Sequence, residues 1–170
     1  NFRQQDIDFG GQGAPLVPVG DKLLFSEYDA CVNLGGIVNI SYDYYNSRIA
    51  YDVAPCNLIL NYLSEKKGQE YDHKGDMALT GKVHKQLLKT LSAINYYKLS
   101  FPKSLGKEHV DQDFLPIIDA YQLTPGDLLC TYVEHIAIQI TNIFSEYSIS
   151  NALFTGGGVF NSYLISRIQY

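Results

Sequence analysis

No apolar run in the 170 residues is long enough to span a bilayer, and no charged segment followed by an apolar stretch opens the chain. Lys and Arg are few, 13 against 18 Asp and Glu, and they nowhere cluster. A nucleic-acid partner needs a basic face, so that class is excluded, and the net charge of −5 disfavours an anionic membrane surface. Cysteine is scarce too. Cys31, Cys56 and Cys130 are widely spaced, odd in number and without metal-ligand spacing, so buried free thiols in a reducing cytoplasm are expected. The histidines His73, His84, His109 and His135 are equally scattered, and no zinc site is expected. A Walker lysine loop, a Ser-His-Asp set and a dinucleotide fingerprint are all missing.

What remains is a globular composition, 46% hydrophobic and 18% charged, which excludes a disordered chain. The length suits one domain with its own core. The opening residues Asn1 to Asp6 are polar and lack an initiator Met, as expected of a cut chain or mature fragment. Residues 9–20 are then dense in Gly and Pro, with Gly10, Gly11, Gly13, Pro15, Pro18 and Gly20. Glycine supplies positive φ and proline fixes φ near −65°, so a constrained, packed loop is expected there.

Residues 29–53 change character. Ala30 to Leu34 and Ile37 to Ser41 are strand-like runs on either side of Gly35-Gly36, and a turn at Asn46-Ser47 leads into Arg48 to Val53. Three antiparallel meander strands follow. Pro55 closes them, and Asn57 to Leu63 read as a helix with Leu58, Ile59, Tyr62 and Leu63 on one face. Residues 66–122 are more polar and broken by Gly and Pro, with a helix near Val83 to Leu91; a helical insertion packed on the core is expected. Thr124 to Tyr147 is the strongest element. Thr124 suits an N-cap, Pro125 the first helical position and Asp127 a box-like start, and Leu128, Leu129, Tyr132, Val133, Ile136, Ile140, Ile143 and Phe144 recur at helical spacing. A short strand, Asn151 to Thr155, runs into Gly156-Gly157-Gly158, and a last amphipathic stretch starts near Asn161. The order is α/β, with a further strand and helix expected to complete the sheet.

The two glycine turns can expose backbone N–H groups with no Cβ in the way, as phosphate or ribose binding requires. Each alone has a bland reading, a plain hairpin or a close strand–helix approach. Together, at two ends of one α/β unit, they point to a nucleotide. Asp6 and Asp8 precede the glycine-rich loop and Asp52 ends a strand, so each could serve as a general base. The plainer reading makes Asp6 a solvated loop acid and Asp52 the cap of the helix near Cys56. Lys103 and Lys107 could meet phosphate but are read as solvated, and the 14 tyrosines as packing.

Asp6-Ile7 followed by Gly10-Gly11-Gln12-Gly13-Ala14-Pro15-Leu16-Val17-Pro18 resembles the signature loop of the anhydro-N-acetylmuramic acid kinases. Asn33-Leu34-Gly35-Gly36-Ile37-Val38-Asn39-Ile40 resembles that family's second phosphate-binding segment. The likeness continues through Tyr51 to Asn57, Tyr71-Asp72 with Gly75, Gly81-Lys82-Val83 and Lys103 to Glu108, and ends at Gly156-Gly157-Gly158 with Asn161, similar to the adenosine motif.

The resemblance implies an actin-like fold of two ribonuclease-H-like lobes, with ATP, Mg²⁺ and sugar meeting between them. It makes residues 1–27 an inter-lobe active-site segment and 28–170 the C-terminal lobe, truncated at both ends. It implies hydrolysis of the 1,6-anhydro ring and phosphorylation of O6 in cytoplasmic cell-wall recycling, in a possible homodimer. Asp6 would be the catalytic base and Gly35 and Gly36 the phosphate contacts. Gly156, Gly157, Gly158 and Asn161 would line the adenosine pocket, with Gln12, Asn33, Asp52 and Asn57 as contributors and no metal ligand singled out. Ala54-Pro55-Cys56-Asn57 departs from the family's Gly-Pro-Gly-Asn, and the family's first phosphate loop has no match. A non-catalytic nucleotide- or sugar-binding module of the same fold is the alternative, and another actin-like small-molecule kinase a third reading.

Overall fold

In the computed structural model the described residues are 8, 18–45 and 47–169. Strands β1 (Ala30–Leu34), β2 (Ile37–Tyr44), β3 (Ser47–Pro55) and β4 (Ala152–Thr155) form one mixed sheet in the order β3-β2-β1-β4. The first three are the expected antiparallel meander, with β2 and β3 longer than the sequence suggested. Tyr42 and Tyr44 extend β2 because tyrosine fits a half-buried pleated surface, and the Tyr42 ring packs 4.8 Å from that of Tyr147. Strand β4 lies parallel to β1, with Ala30 opposite Ala152 and Asn33 opposite Thr155.

Period-two alternation decides which face is covered. Ala30, Val32 and Leu34 of β1, Val38, Ile40 and Tyr42 of β2, and Tyr51 and Val53 of β3 are all buried. They share one core with helix Pro125–Glu146, whose Leu129, Tyr132, Val133, Ile136 and Ile140 are buried as the spacing predicted. Each such side chain removed from water contributes about 1.5–3 kcal/mol. The Tyr132 hydroxyl donates to the Pro55 carbonyl at 3.0 Å, tying helix to β3. The helix start also agrees: Thr124 Oγ1 accepts the Asp127 N–H (3.1 Å) and donates to Asp127 Oδ2 (2.8 Å). At the other end of the sheet Asp29 accepts the N–H groups of Ser150 and Asn151 at 2.8 and 3.0 Å. Those bonds, Ser150 first, hold its carboxyl below the usual range and join the entries of β1 and β4.

In chain order the helices are α1 (Pro18–Leu24), α2 (Asn57–Glu65), α3 (Asp76–Leu79), α4 (Lys85–Ser92), α5 (Lys107–His109), α6 (Leu115–Asp119), α7 (the long Pro125–Glu146) and α8 (Ser162–Ile168), with one π turn, Val110–Phe114, between α5 and α6. Helix α2 buries Ile59 and Leu63 of the expected face, with Tyr62 half-buried against the core, and adds Leu60 and Ser64, while Leu58 is exposed. Leu58 instead packs against Gly36, where a Cβ would lie 3.3 Å from its Cγ. Between α2 and α7, Leu87, Leu91, Val110, Phe114 and Ile118 join the same core, so this broken stretch is anchored to it. The three cysteines are free and buried, as expected.

His135 of α7 is a core residue the pattern passed over. It is fully buried, shares a 2.7 Å hydrogen bond with the Tyr97 hydroxyl through Nε2, and has no partner for Nδ1 among the described residues. Burial pushes its pKa down to about 3. The folded protein therefore refuses a proton that the unfolded chain accepts below pH ~6.5. This contribution is complete above that pH and is lost as pH falls toward 3. Stability is expected to drop by about 2 kcal/mol between pH 6.5 and 5 on this account. A His135→Gln chain should lose that slope in paired denaturant melts; an unchanged slope would place the proton elsewhere.

Candidate functional site

The parallel pairing of β1 with β4 sets their C-terminal ends side by side, so the two glycine turns leave the same edge of the sheet. In α/β proteins that edge is where ligands bind. Gly156 has φ +86° and ψ 172°, a region open to glycine, and a Cβ there would lie 2.8 Å from the Leu34 carbonyl oxygen and strike Asn33 Oδ1. A Cβ on Gly158 would come within 2.6 Å of Leu34 Cβ. Close approach of the two turns thus requires both glycines. Gly157 differs, since its nearest neighbour is Asn57 Nδ2 at 3.8 Å.

Asn57 closes the triangle. It opens α2, and its Nδ2 donates to the Leu34 carbonyl at 3.2 Å. The N–H groups of Cys56, Asn57 and Leu58 donate to the carbonyls of Gly36, Gly35 and Gly36 at 2.8, 3.2 and 3.2 Å. The first amides of α2 therefore hold the Gly35-Gly36 turn in place. Asn33 lies between the turns, its Nδ2 3.2 Å from where a Gly35 Cβ would stand.

Two clefts open from this junction. One, of about 650 Å³, is lined by Asn57, Tyr71, His73, Gly157, Phe160 and Asn161 among others. The second, of about 440 Å³, includes Gly36, Asn57, Asn61, Glu65, Lys107 and Asp111. Asn57 and Asn61 border both. The structure thus brings Asn33, Gly35, Gly36, Asn57 and Gly156 to Asn161 together. Asn161 is nearly buried, and its Oδ1 accepts the Leu164 N–H at 3.0 Å to cap α8. Its amide oxygen is therefore engaged in shaping the cleft wall.

Asp52 lies elsewhere. Its carboxylate accepts the Leu105 N–H at 2.8 Å, its carbonyl accepts the Tyr96 hydroxyl at 2.6 Å, and it lines neither cleft. Burial raises its pKa and the Leu105 bond lowers it in part. Nor does it cap α2, whose N-cap is Cys56 with no side-chain cap bond. Lys103 is not a solvated lysine: its ammonium sits 4.8 Å over the Tyr96 ring and 5.5 Å over Tyr51, and burial lowers its pKa. Ala54 and Cys56 are fully buried in the core, where burial pushes the Cys56 thiol up to about 12. Neither residue lines either cleft, so neither departure from the family pattern narrows one. Asp6 and Gln12 lie outside the described residues.

Sequence reasoning passed over Phe160, Asn61, Glu65 and Asp111, and named Tyr71 in a motif without a role at the site. For Phe160 a signal existed: a large aromatic two residues after a triple glycine, where no helical stripe gives it a packing role.

A family model for anhydro-N-acetylmuramic acid kinase matches residues 1–170. The chain belongs to the anhydro-N-acetylmuramic acid kinase family. Anhydro-N-acetylmuramic acid kinases of Aliivibrio fischeri and Saccharophagus degradans are 35% and 38% identical, each over 100% of this chain and over 49% and 48% of their own length. The chain therefore spans about half the length of the curated relatives it matches. Among solved structures, the activator of the 2-hydroxyisocaproyl-CoA dehydratase from Clostridium difficile, with bound ADPNP, superposes with a TM-score of 0.50 at 11% identity. It covers 88% of this chain and 53% of its own, and the likeness is one of fold, the actin-like ATPase fold. The mixed sheet with helices read from the sequence agrees with that architecture.

Proposed function

We propose that this chain carries the nucleotide-holding part of an ATP-dependent sugar kinase that opens the 1,6-anhydro ring of anhydro-N-acetylmuramic acid and phosphorylates O6. The observation that carries the reading is the meeting of two glycine turns and Asn57 at one sheet edge, in a chain matched throughout by that family. Residues 28–170 then form a ribonuclease-H-like lobe with a helical insertion near 66–122, and residues 1–27 the segment between lobes. The base and ribose of ATP lie in the larger cleft along Gly156 to Asn161, and the phosphates run toward Gly35-Gly36.

Asp6 removes a proton from the water that attacks the anomeric carbon. The bond from that carbon to O6 breaks, and O6 takes the γ-phosphoryl group as ADP leaves. Positioning supplies much of the rate in such a step, which suits a carboxylate beside a Gly- and Pro-rich sequence. Mg²⁺ would neutralise charge on the transferring phosphoryl group. Its donor chemistry fits: Glu65 and Asp111 bring two carboxylates to the lining of the cleft at Gly36, beside Asn57 and Asn61. Among the described residues no group of three or more His, Cys, Asp or Glu could hold a metal ion. A magnesium site that relies on one or two carboxylates plus phosphate and water is compatible with that. A cytoplasmic setting and a homodimer belong to the same reading.

A family-length protein containing these residues, mixed with ATP and the anhydro sugar, is expected to yield ADP and a 6-phosphate with a free anomeric centre, read by mass spectrometry. ADP binding with the sugar left intact would favour the non-catalytic module. Ala54 and Cys56, the departures that spoke for such a module, leave both clefts open.

A further inference from the structure

Folding leaves two large aromatic side chains uncovered at the larger cleft. Tyr71 is 54% and Phe160 79% exposed, and both line it. They stand on different wall segments, Tyr71 just before the 3₁₀ turn His73–Gly75 and Phe160 at the end of the 3₁₀ turn Gly157–Phe160. The segments are pinned together next to these rings. Gly75, at φ +81°, packs so closely on the Asn161 side chain that a Cβ could not be inserted. Tyr71 is four residues before one side of that contact, and Phe160 immediately precedes the other.

Two polar side chains at the pin are already engaged by the protein. Asp72 accepts the N–H groups of Met77 and Ala78 at 2.8 and 3.0 Å, and Asn161 Oδ1 accepts Leu164 N–H at 3.0 Å. Beside those two occupied groups the cleft presents uncovered ring faces, and its lining also includes Asn61, Glu70, Lys74 and Ser162. The His73 ring, 6.3 Å from Tyr71, extends that aromatic wall. Gly157 lines the same cleft with no side chain to obstruct it. A flat, π-faced ligand carrying phosphates matches this layout.

We propose that Tyr71 and Phe160 are the base-binding residues of the site, stacking on the purine of the nucleotide from the two walls of the cleft. The proposal rests on the nucleotide reading above and assigns the base a position within it.

The chain contains no tryptophan, so Phe160→Trp places a single indole at the cleft. Its emission is expected to be quenched by ADP and not by inorganic tripolyphosphate, which has no base. Phe160→Ala and Tyr71→Ala should each weaken ADP binding about tenfold in calorimetry, the size of one base–aromatic stack, with tripolyphosphate affinity unchanged. Both positions are exposed enough for the fold to tolerate the change, which circular dichroism checks. Wild-type ADP affinity in both alanine variants would overturn the clamp and leave the nucleotide reading standing. Absence of ADP binding to the parent chain would overturn both.

Discussion

Gly156→Ala is expected to lower stability by about 3 kcal/mol or more and to abolish nucleotide binding. The residue sits at φ +86° and ψ 172°, a backbone region that only glycine enters without strain. The new Cβ would also lie 2.8 and 2.9 Å from the carbonyl oxygen and carbon of Leu34, which are main-chain atoms. Leu34 ends β1, whose neighbouring residue Asn33 pairs with Thr155, so Leu34 cannot retreat without opening the β1–β4 seam. A melting point lower by roughly 6–12 °C is expected for a domain of this size. Gly157→Ala is the companion variant. Its Cβ would meet only Asn57 Nδ2, at 3.8 Å, so the fold should survive while the methyl group projects toward the cleft. Wild-type melting with weakened ADP binding is expected for Gly157→Ala, and early melting for Gly156→Ala. A Gly156→Ala chain that melts with the parent would remove the steric basis of the site.

The contrast between these neighbouring glycines was invisible in the sequence, where Gly156-Gly157-Gly158 reads as one signal. What made the turn legible was composition; what separates its members is β1 running underneath, 120 residues earlier in the chain. The same physics explains other successes and failures. Helix α7 could be read because its stripe, Leu128 to Phe144, repeats over about five turns and Thr124 caps it locally. The meander could be read because hydrophobic alternation and the Gly35-Gly36 turn are also local. Asp52 could not be placed, because the N–H group that engages it belongs to Leu105, 53 residues away. Leu58 was assigned to the core by periodicity, yet Gly36 drew it outward into a contact that no helical pattern encodes. Tyr71 and Phe160 were lost among 14 tyrosines and eight phenylalanines, since only burial distinguishes an uncovered ring from a packed one.

These examples divide the site into two kinds of residue. The glycines and Asn57 make the turns possible, and motif and spacing reveal them. The side chains that face the clefts come from α2, which supplies Asn61 and Glu65, from the turn that carries Phe160, and from the broken stretch between α2 and α7, which supplies Tyr71, Lys107 and Asp111. That stretch is held to the core by Leu87, Leu91 and Phe114 and not by a repeating pattern of its own. Its contribution therefore emerges only once the tertiary structure is known. The same division gives the proposed chemistry its order: the sheet edge holds the nucleotide, and Asp6, proposed from the sequence motif, activates the water.

Asp6→Asn tests that last requirement and is expected to have the largest effect on turnover. Aspartate and asparagine are nearly the same size, but the amide cannot accept a proton near neutral pH. If Asp6 activates the attacking water, sugar phosphorylation by a family-length protein should fall by about 10²–10⁴-fold, the usual contribution of a positioned general base. ADP affinity should stay within about twofold of the parent, because the residues proposed to hold the nucleotide belong to the β1 and β4 turns and to the 3₁₀ turns beside the larger cleft. Adding back external nucleophiles, such as azide, offers a second readout. An anionic nucleophile needs no base to remove a proton, so it should restore opening of the anhydro ring in the asparagine variant more than in the parent. Equal turnover in the two proteins would remove Asp6 from the chemistry, and a parallel loss of ADP binding would make it a structural residue of the loop.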